Sequence, residues 1–189
     1  MAYVGSYGGD VSTQHRKAYA LWAIDAATGR VAWERHPPLN GTELPNGVTA
    51  TPSVVDGVVY DGGLDAYTAG GRRVWVNTQP GGGSDTTPTI GEGFVFNEVG
   101  AYDQSGPECA YRVSTGRLVW CSGDSIYDSS TVTGDVLLLA DGGAYLAAYD
   151  AHTGRTLFED FHHVIQGQPA ISGGTIYTGG EFRLFAYRP

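Results

Sequence analysis

Apolar residues along this chain come in short runs of alternating character, closed again and again by Gly, Asp and Thr, and no stretch of ten residues keeps a helical period. Runs such as "VVYDGG", "FVFNEV", "LLLADGG" and "TIYTGG" read as strands, each followed by turn residues. The window "AIDAATGRVAW", which starts at Ala23, matches "AYRVSTGRLVW" from Ala110 and "AYDAHTGRTLF" from Ala148. A fourth copy, "AYTAGGRRVW" from Ala66, is one residue shorter. The closing aromatics Trp33, Trp75, Trp120 and Phe158 follow one another at 42, 45 and 38 residues. A period of that size points to an array of supersecondary units.

Each unit also carries an upstream signature: "TPSVVDG", "TPTIGEG", "STVTGDV" and "QPAISGG". One unit therefore reads as strand A, a tight turn, strand B, strand C, a Thr-Gly turn and strand D. Four antiparallel strands in about forty residues is the pattern of a β-propeller blade. Pro52, Pro88 and Pro169 fall at strand A, where a missing amide donor is tolerable only on a sheet edge. Gly29, Gly71, Gly116 and Gly154 supply the turn residue that accepts positive φ, and Asp25 and Asp150 can fold their carboxylates onto turn amides.

These windows resemble the tryptophan-docking motif of PQQ-type β-propellers, the repeat of quinoprotein alcohol dehydrogenases and their non-enzymatic relatives. The resemblance implies that Trp33, Trp75 and Trp120 pack against the neighbouring blade and that Gly29, Gly71 and Gly116 take the glycine role. Phe158, with Gly154 in its turn, stands in for the fourth tryptophan, and without an indole N–H that junction should rest on packing alone. Arg112 replaces the turn Asp of the third unit. Burying one large aromatic removes roughly 150–250 Å² from water, an upper bound of about 4–6 kcal/mol.

The expected organisation is all-β: one propeller segment over residues 1–189, with three complete blades and two partial ones. Blade one covers 2–48 without a strand A, followed by 49–84, 85–127 and 128–166. Blade five, 167–189, stops shortly after Ala186 and Tyr187 open a further window. Rings of this family have seven or eight blades, so the chain reads as an open arc of such a ring or a fragmentary reading frame. An arc of this kind would leave two blade faces prone to association.

Composition narrows the function. The 189 residues include 29 Gly and 12 Tyr, and only 16% are charged. With 11 basic residues against 20 acidic ones, the net charge of -9 and the scattered cations argue against nucleic acid. No apolar run is long enough to cross a bilayer, and the opening "MAYVGSYGG" reads as strand and turn rather than a signal peptide. Cys109 and Cys121 flank one hairpin; a cross-strand disulfide, which would imply an oxidising compartment, and two small buried hydrophobes are both open readings. The resemblance favours a periplasmic, extracellular or ectodomain setting in a bacterium.

Connections A–B and C–D are short, whereas B–C and D–A are long and share the opposite face. That long-loop face gathers His15, Arg16, His36, Glu43, Asp85, Glu98, Tyr102, Asp103, Asp124, Tyr127, Asp128, His162 and His163. Among these, His15, His36, Tyr102, Asp103, Tyr127 and His162 are the candidate partner-binding residues, because function concentrates on loops held by a rigid scaffold. His162 and His163 point opposite ways in extended chain, and no Cys–His or His-x-His cluster suggests zinc. No motif of a nucleophilic, phosphate-binding or zinc-dependent enzyme occurs, so no catalytic, cofactor or metal residue is assigned.

Two functions remain. The resemblance implies a non-enzymatic scaffold or sensor propeller for protein or peptide partners, like the lipoprotein of outer-membrane barrel assembly or the ectodomains of bacterial serine/threonine kinases. The other is a fragment of a PQQ- and calcium-dependent dehydrogenase. Those enzymes carry a vicinal disulfide over the quinone, and this chain has no adjacent cysteine pair.

Overall fold

The computed structural model describes residues 1–6, 20–36, 50–77, 86–99, 106–126, 130–141, 145–163, 165–180 and 182–188. Among them, eighteen strands form five antiparallel sheets, and there is no helix. The first sheet joins β1 (Ala2–Ser6), β2 (Ala20–Ile24) and β3 (Val31–Arg35). The second joins β4 (Ser53–Val55), β5 (Val58–Tyr60), β6 (Asp65–Thr68) and β7 (Arg73–Val76). The third runs β8 (Thr89–Gly91), β9 (Phe94–Glu98), β10 (Gly106–Arg112) and β11 (Leu118–Ile126). The fourth holds β12 (Thr131–Thr133), β13 (Val136–Asp141), β14 (Tyr145–Asp150) and β15 (Thr156–Asp160). The last holds β16 (Gln166–Ser172), β17 (Thr175–Gly180) and β18 (Arg183–Tyr187). Strand order follows chain order within every sheet, the up-and-down meander of a propeller blade.

The core lies between sheets rather than within one. Leu21 of the first sheet meets Val59 and Tyr67 of the second, with Tyr3 and Trp33 against them. Tyr60, Ala66 and Trp75 meet Val95, Cys109 and Tyr111 across the next seam. Phe94, Phe96 and Ala110 meet Leu137, Leu139 and Tyr149. Ala140 and Leu146 are covered by Ile165, with Ile176, Phe185 and Tyr187 of the last sheet beside them. Middle strands such as β9 are consequently buried along their whole length: they face a neighbour on both sides and carry no polar-out alternation.

Strand A is an edge in each complete sheet, as its proline requires. Pro52 and Pro88 stand one residue ahead of β4 and β8 rather than inside them, because the ladder begins at the first residue with an amide to give. Pro169 lies within β16, at a register shift between Gln166 and Ala170.

The short A–B turns follow two chemistries. Asp56-Gly57, Glu92-Gly93 and Gly173-Gly174 all have positive φ at both central residues, as a type I′ hairpin requires. In the fourth sheet the order inverts to Gly134-Asp135, and only Gly134 (φ 49°) is left-handed, the pattern of a II′ turn. The inversion lets an ordinary L-residue, Asp135, occupy the second corner.

Candidate functional site

The seams are built from the Thr-Gly turns. Asp25 Oδ1 accepts the amides of Ala27 (2.9 Å) and Thr28 (3.0 Å), and Asp150 Oδ1 accepts those of His152 (3.1 Å) and Thr153 (2.9 Å). In the third unit Arg112 offers no carboxylate, and the turn closes through its carbonyl, which accepts the Gly116 amide at 2.8 Å. The Arg112 guanidinium instead lies over the Phe94 ring, 4.5 Å from its centre.

Onto the turns of the second, third and fourth sheets comes the tryptophan of the preceding sheet. Trp33 Nε1 donates to Ala69 O (2.9 Å), Trp75 Nε1 to Val113 O (2.8 Å) and Trp120 Nε1 to Ala151 O (3.0 Å). The rings lie on Gly71, Gly116 and Gly154, where a Cβ would come within 2.7, 2.5 and 2.6 Å of indole carbons. At Gly29, in the turn between β2 and β3, no atom of the described residues lies within 4 Å of that position.

Phe158, nearly half exposed, meets the last sheet through an edge contact with Tyr187, ring centres 6.3 Å apart. That junction is not held by packing alone, which corrects the expectation for it. The Tyr187 hydroxyl donates to Asp160 Oδ2 at 2.8 Å, so the polar bond that the phenyl cannot make is made at the end of Phe158's own strand, by a tyrosine of the last sheet. Asp160 also accepts the His162 amide (2.8 Å) and lies 2.9 Å from His163 Nδ1. Burial alone would raise its carboxyl, but the bonds from His163, the His162 amide and Tyr187 outweigh it and hold Asp160 down at about 2.

Two further devices have no counterpart in the sequence reading. Ala69, Val113 and Ala151, whose carbonyls receive the indoles, donate their own amides to Gly57 O, Gly93 O and Asp135 O at 2.8, 3.0 and 2.8 Å. One residue thus ties its blade's two short turns together and also holds the neighbouring blade. On the strand A side, Ser53 Oγ donates to Pro88 O, Thr89 Oγ1 to Ser130 O (2.7 Å) and Thr131 Oγ1 to Pro169 O. The signal was a hydroxyl residue one step after the proline position in three of four units.

The long-loop face is only partly described. His15, Arg16, Glu43, Asp85, Tyr102, Asp103, Tyr127 and Asp128 lie outside the described residues, as does the side chain of Asp124. His36 is exposed, with Nε2 2.9 Å from Glu34 Oε1, and His162 is exposed beside Asp160. His163 packs its ring 4.6 Å from that of Phe185. Glu98 departs from the expected surface position: it is buried, and Oε1 accepts the Gly106 amide at 2.9 Å. A backbone donor at the start of β10 draws the carboxylate inward.

Glu98 belongs to a set of buried acids at this end of the second and third sheets. Glu108, opposite it in the register, accepts the Ser130 hydroxyl at 2.6 Å. Burial pushes the Glu108 carboxyl up to about 8, with Glu98 adding repulsion against the stabilising Ser130 bond. Asp61 accepts the Asp65 amide at 3.0 Å, while Asp65 receives the Tyr67 hydroxyl and the Asn77 amide, each at 3.3 Å. Burial, and then repulsion from Asp65, raises Asp61 far above the usual carboxylate range. Each of these four acids is 95% or more buried, so they act inside the sheets. Cys109 and Cys121 face each other across β10 and β11 and are joined by a disulfide.

Five meandering sheets wedged through aromatic-on-turn seams define a partial β-propeller of the PQQ-like class. Residues 3–125 match the family model described as outer membrane protein assembly factor BamB, and the chain belongs to that family. No curated protein matches it in sequence. The structure is similar to BamB from Moraxella catarrhalis, with a TM-score of 0.65 and 17% identity over 88% of this chain and 50% of that one. It is similar, with the same TM-score and identity, to the quinohemoprotein alcohol dehydrogenase of Comamonas testosteroni over 90% of this chain and 40% of the enzyme. The computationally designed Ika4 protein gives 0.59 and 12% identity over 74% of this chain and 89% of its own. The chain spans half the length of the Moraxella protein.

Proposed function

We propose that this chain is a non-enzymatic binding segment of a PQQ-like propeller, which recruits a protein or peptide partner through its long-loop face, outside the cytoplasm. The observation that carries this reading is the inequality of the two faces. One face is closed by two-residue hairpins and seam hydrogen bonds, while the meander turns the facing ends of β1 and β2, of β3 and β4, and of β9 and β10 toward the other, where the connections are long in sequence. The family's description as an assembly factor points the same way. In this reading Trp33, Trp75 and Trp120 are docking aromatics, with Phe158 in the fourth place; they serve the scaffold, and His36 and His162 serve the partner face.

The quinone and calcium that the dehydrogenase alternative requires do not fit the residues described. The cysteines are twelve residues apart and bonded across a hairpin rather than adjacent. The buried acids accept amide and hydroxyl bonds inside their own sheets.

Panning the chain against a library of extended peptides tests the proposal. Selected peptides should bind the wild type and lose affinity with His36→Ala and His162→Ala together. A library yielding no binder, alongside saturable uptake of PQQ with calcium, would overturn it in favour of the dehydrogenase reading.

A further inference from the structure

We infer that the seam between the third and fourth sheets carries a divalent transition-metal site, of the zinc class, formed by Glu92, Asp135 and His152. Each donor comes from a different short turn: Glu92 from β8–β9, Asp135 from β12–β13 and His152 from β14–β15. All three side chains are exposed, and one ligand atom of each lies within 4.8 Å of the others. His152 Nε2 is 2.9 Å from Asp135 Oδ1. A tetrahedral ion about 2.0–2.2 Å from each donor needs them roughly 3.3–3.6 Å apart, so the Asp135–His152 contact opens by a few tenths of an ångström and the Glu92 side chain swings inward to close the set. One imidazole with two carboxylates suits zinc or cobalt, whereas calcium prefers oxygen donors alone.

Two features separate this cluster from an ordinary polar surface. The first is support: the imidazole stands edge-on to Phe94 (5.5 Å between ring centres, 74° between planes), which fixes its direction. The two turns of the fourth sheet are tied by the Ala151 amide on Asp135 O. The second is departure from the repeat. The seam before this one has Asp56, Gly93 and Ser114 in the same three places, a single ligand where this seam has three. The inverted Gly134-Asp135 turn sets a carboxylate at the second corner, where the other units have glycine. Those glycines and the serine satisfy the fold elsewhere, so blade packing does not require the three ligand residues.

Charge favours a cation as well. Among the described residues, neither Glu92 nor Asp135 pairs with a lysine or arginine, and the nearby Arg112 guanidinium is placed over the Phe94 ring. Three protein ligands leave an open position for water or for a side chain from a partner.

The test is calorimetric titration of the chelator-treated chain with zinc chloride, with cobalt(II) absorption as a second readout. One saturable site per chain is expected, with a cobalt d–d band of low coordination number. Glu92→Gln, Asp135→Asn and His152→Ala should each weaken zinc binding by about tenfold or more and leave the metal-free melting temperature within a degree or two. The control His162→Ala/His163→Ala should bind as the wild type does. No saturable binding, binding unchanged in Glu92→Gln and Asp135→Asn, or binding lost only in the control would overturn the site.

Discussion

The indole of Trp75 rests on Gly116 so closely that a Cβ there would fall 2.5 Å from a ring carbon. Gly116 also has φ +67°, so alanine would meet both backbone strain and the ring. Gly29 shares the strain (φ +69°) and has open space. Gly29→Ala should therefore cost about 1–2 kcal/mol, and Gly116→Ala that amount plus about 1–3 kcal/mol of overpacking. Urea denaturation of the two variants measures the difference. Equal losses would mean the seam yields freely.

Trp75→Phe keeps most of the apolar contact but removes the donor to Val113 O. A loss of roughly 1–3 kcal/mol is expected, because the carbonyl at this partly buried seam is left without its indole partner. A midpoint identical to the wild type's would reduce the indole to a filler.

Stability should fall from mildly acidic to mildly basic pH. Glu108 is raised from 4.5 to about 8 in the folded chain, so between those values the unfolded state releases a proton that the folded state keeps. Its contribution is present below pH 4.5 and is lost as pH rises through about 8. Glu108→Gln keeps an acceptor for the Ser130 hydroxyl and should flatten this slope in melts from pH 5 to 9. Asp160 has the opposite sign: lowered from 3.8 to about 2, it adds stability above pH 3.8 that disappears as pH drops through 2. Asp160→Asn should remove that acid-side loss.

Reduction of Cys109–Cys121, which closes a loop of sequence separation 12, should lower stability by roughly 2–3 kcal/mol. Melting with and without dithiothreitol reads this directly. An unchanged transition would show that register pairing alone holds the β10–β11 hairpin.

The repeat was legible because the physics behind it is local. A Thr-Gly turn, an edge proline and a closing aromatic each leave a mark at fixed spacing, so the sheets and their order follow from the chain itself. Seam chemistry was less legible wherever partners lie thirty or more residues apart. Nothing in "QGQP" or "EDF" announces that Tyr187 would reach Asp160, because that bond depends on how one sheet seats on the next. Glu98 misled for a related reason: a glutamate next to a loop is usually hydrated, and only the Gly106 amide explains its burial. The Glu92, Asp135 and His152 cluster was visible only as a departure from the repeat, which alignment for similarity passes over.

Ala69, Val113 and Ala151 each bond inward to their own hairpin and outward to the previous sheet's indole. Loosening one such residue therefore frees two sheets at once, and damage travels along the row as a zipper opens. Mechanical pulling from either terminus should accordingly release the sheets in sequence, with the force set by the weakest clasp rather than by the whole array.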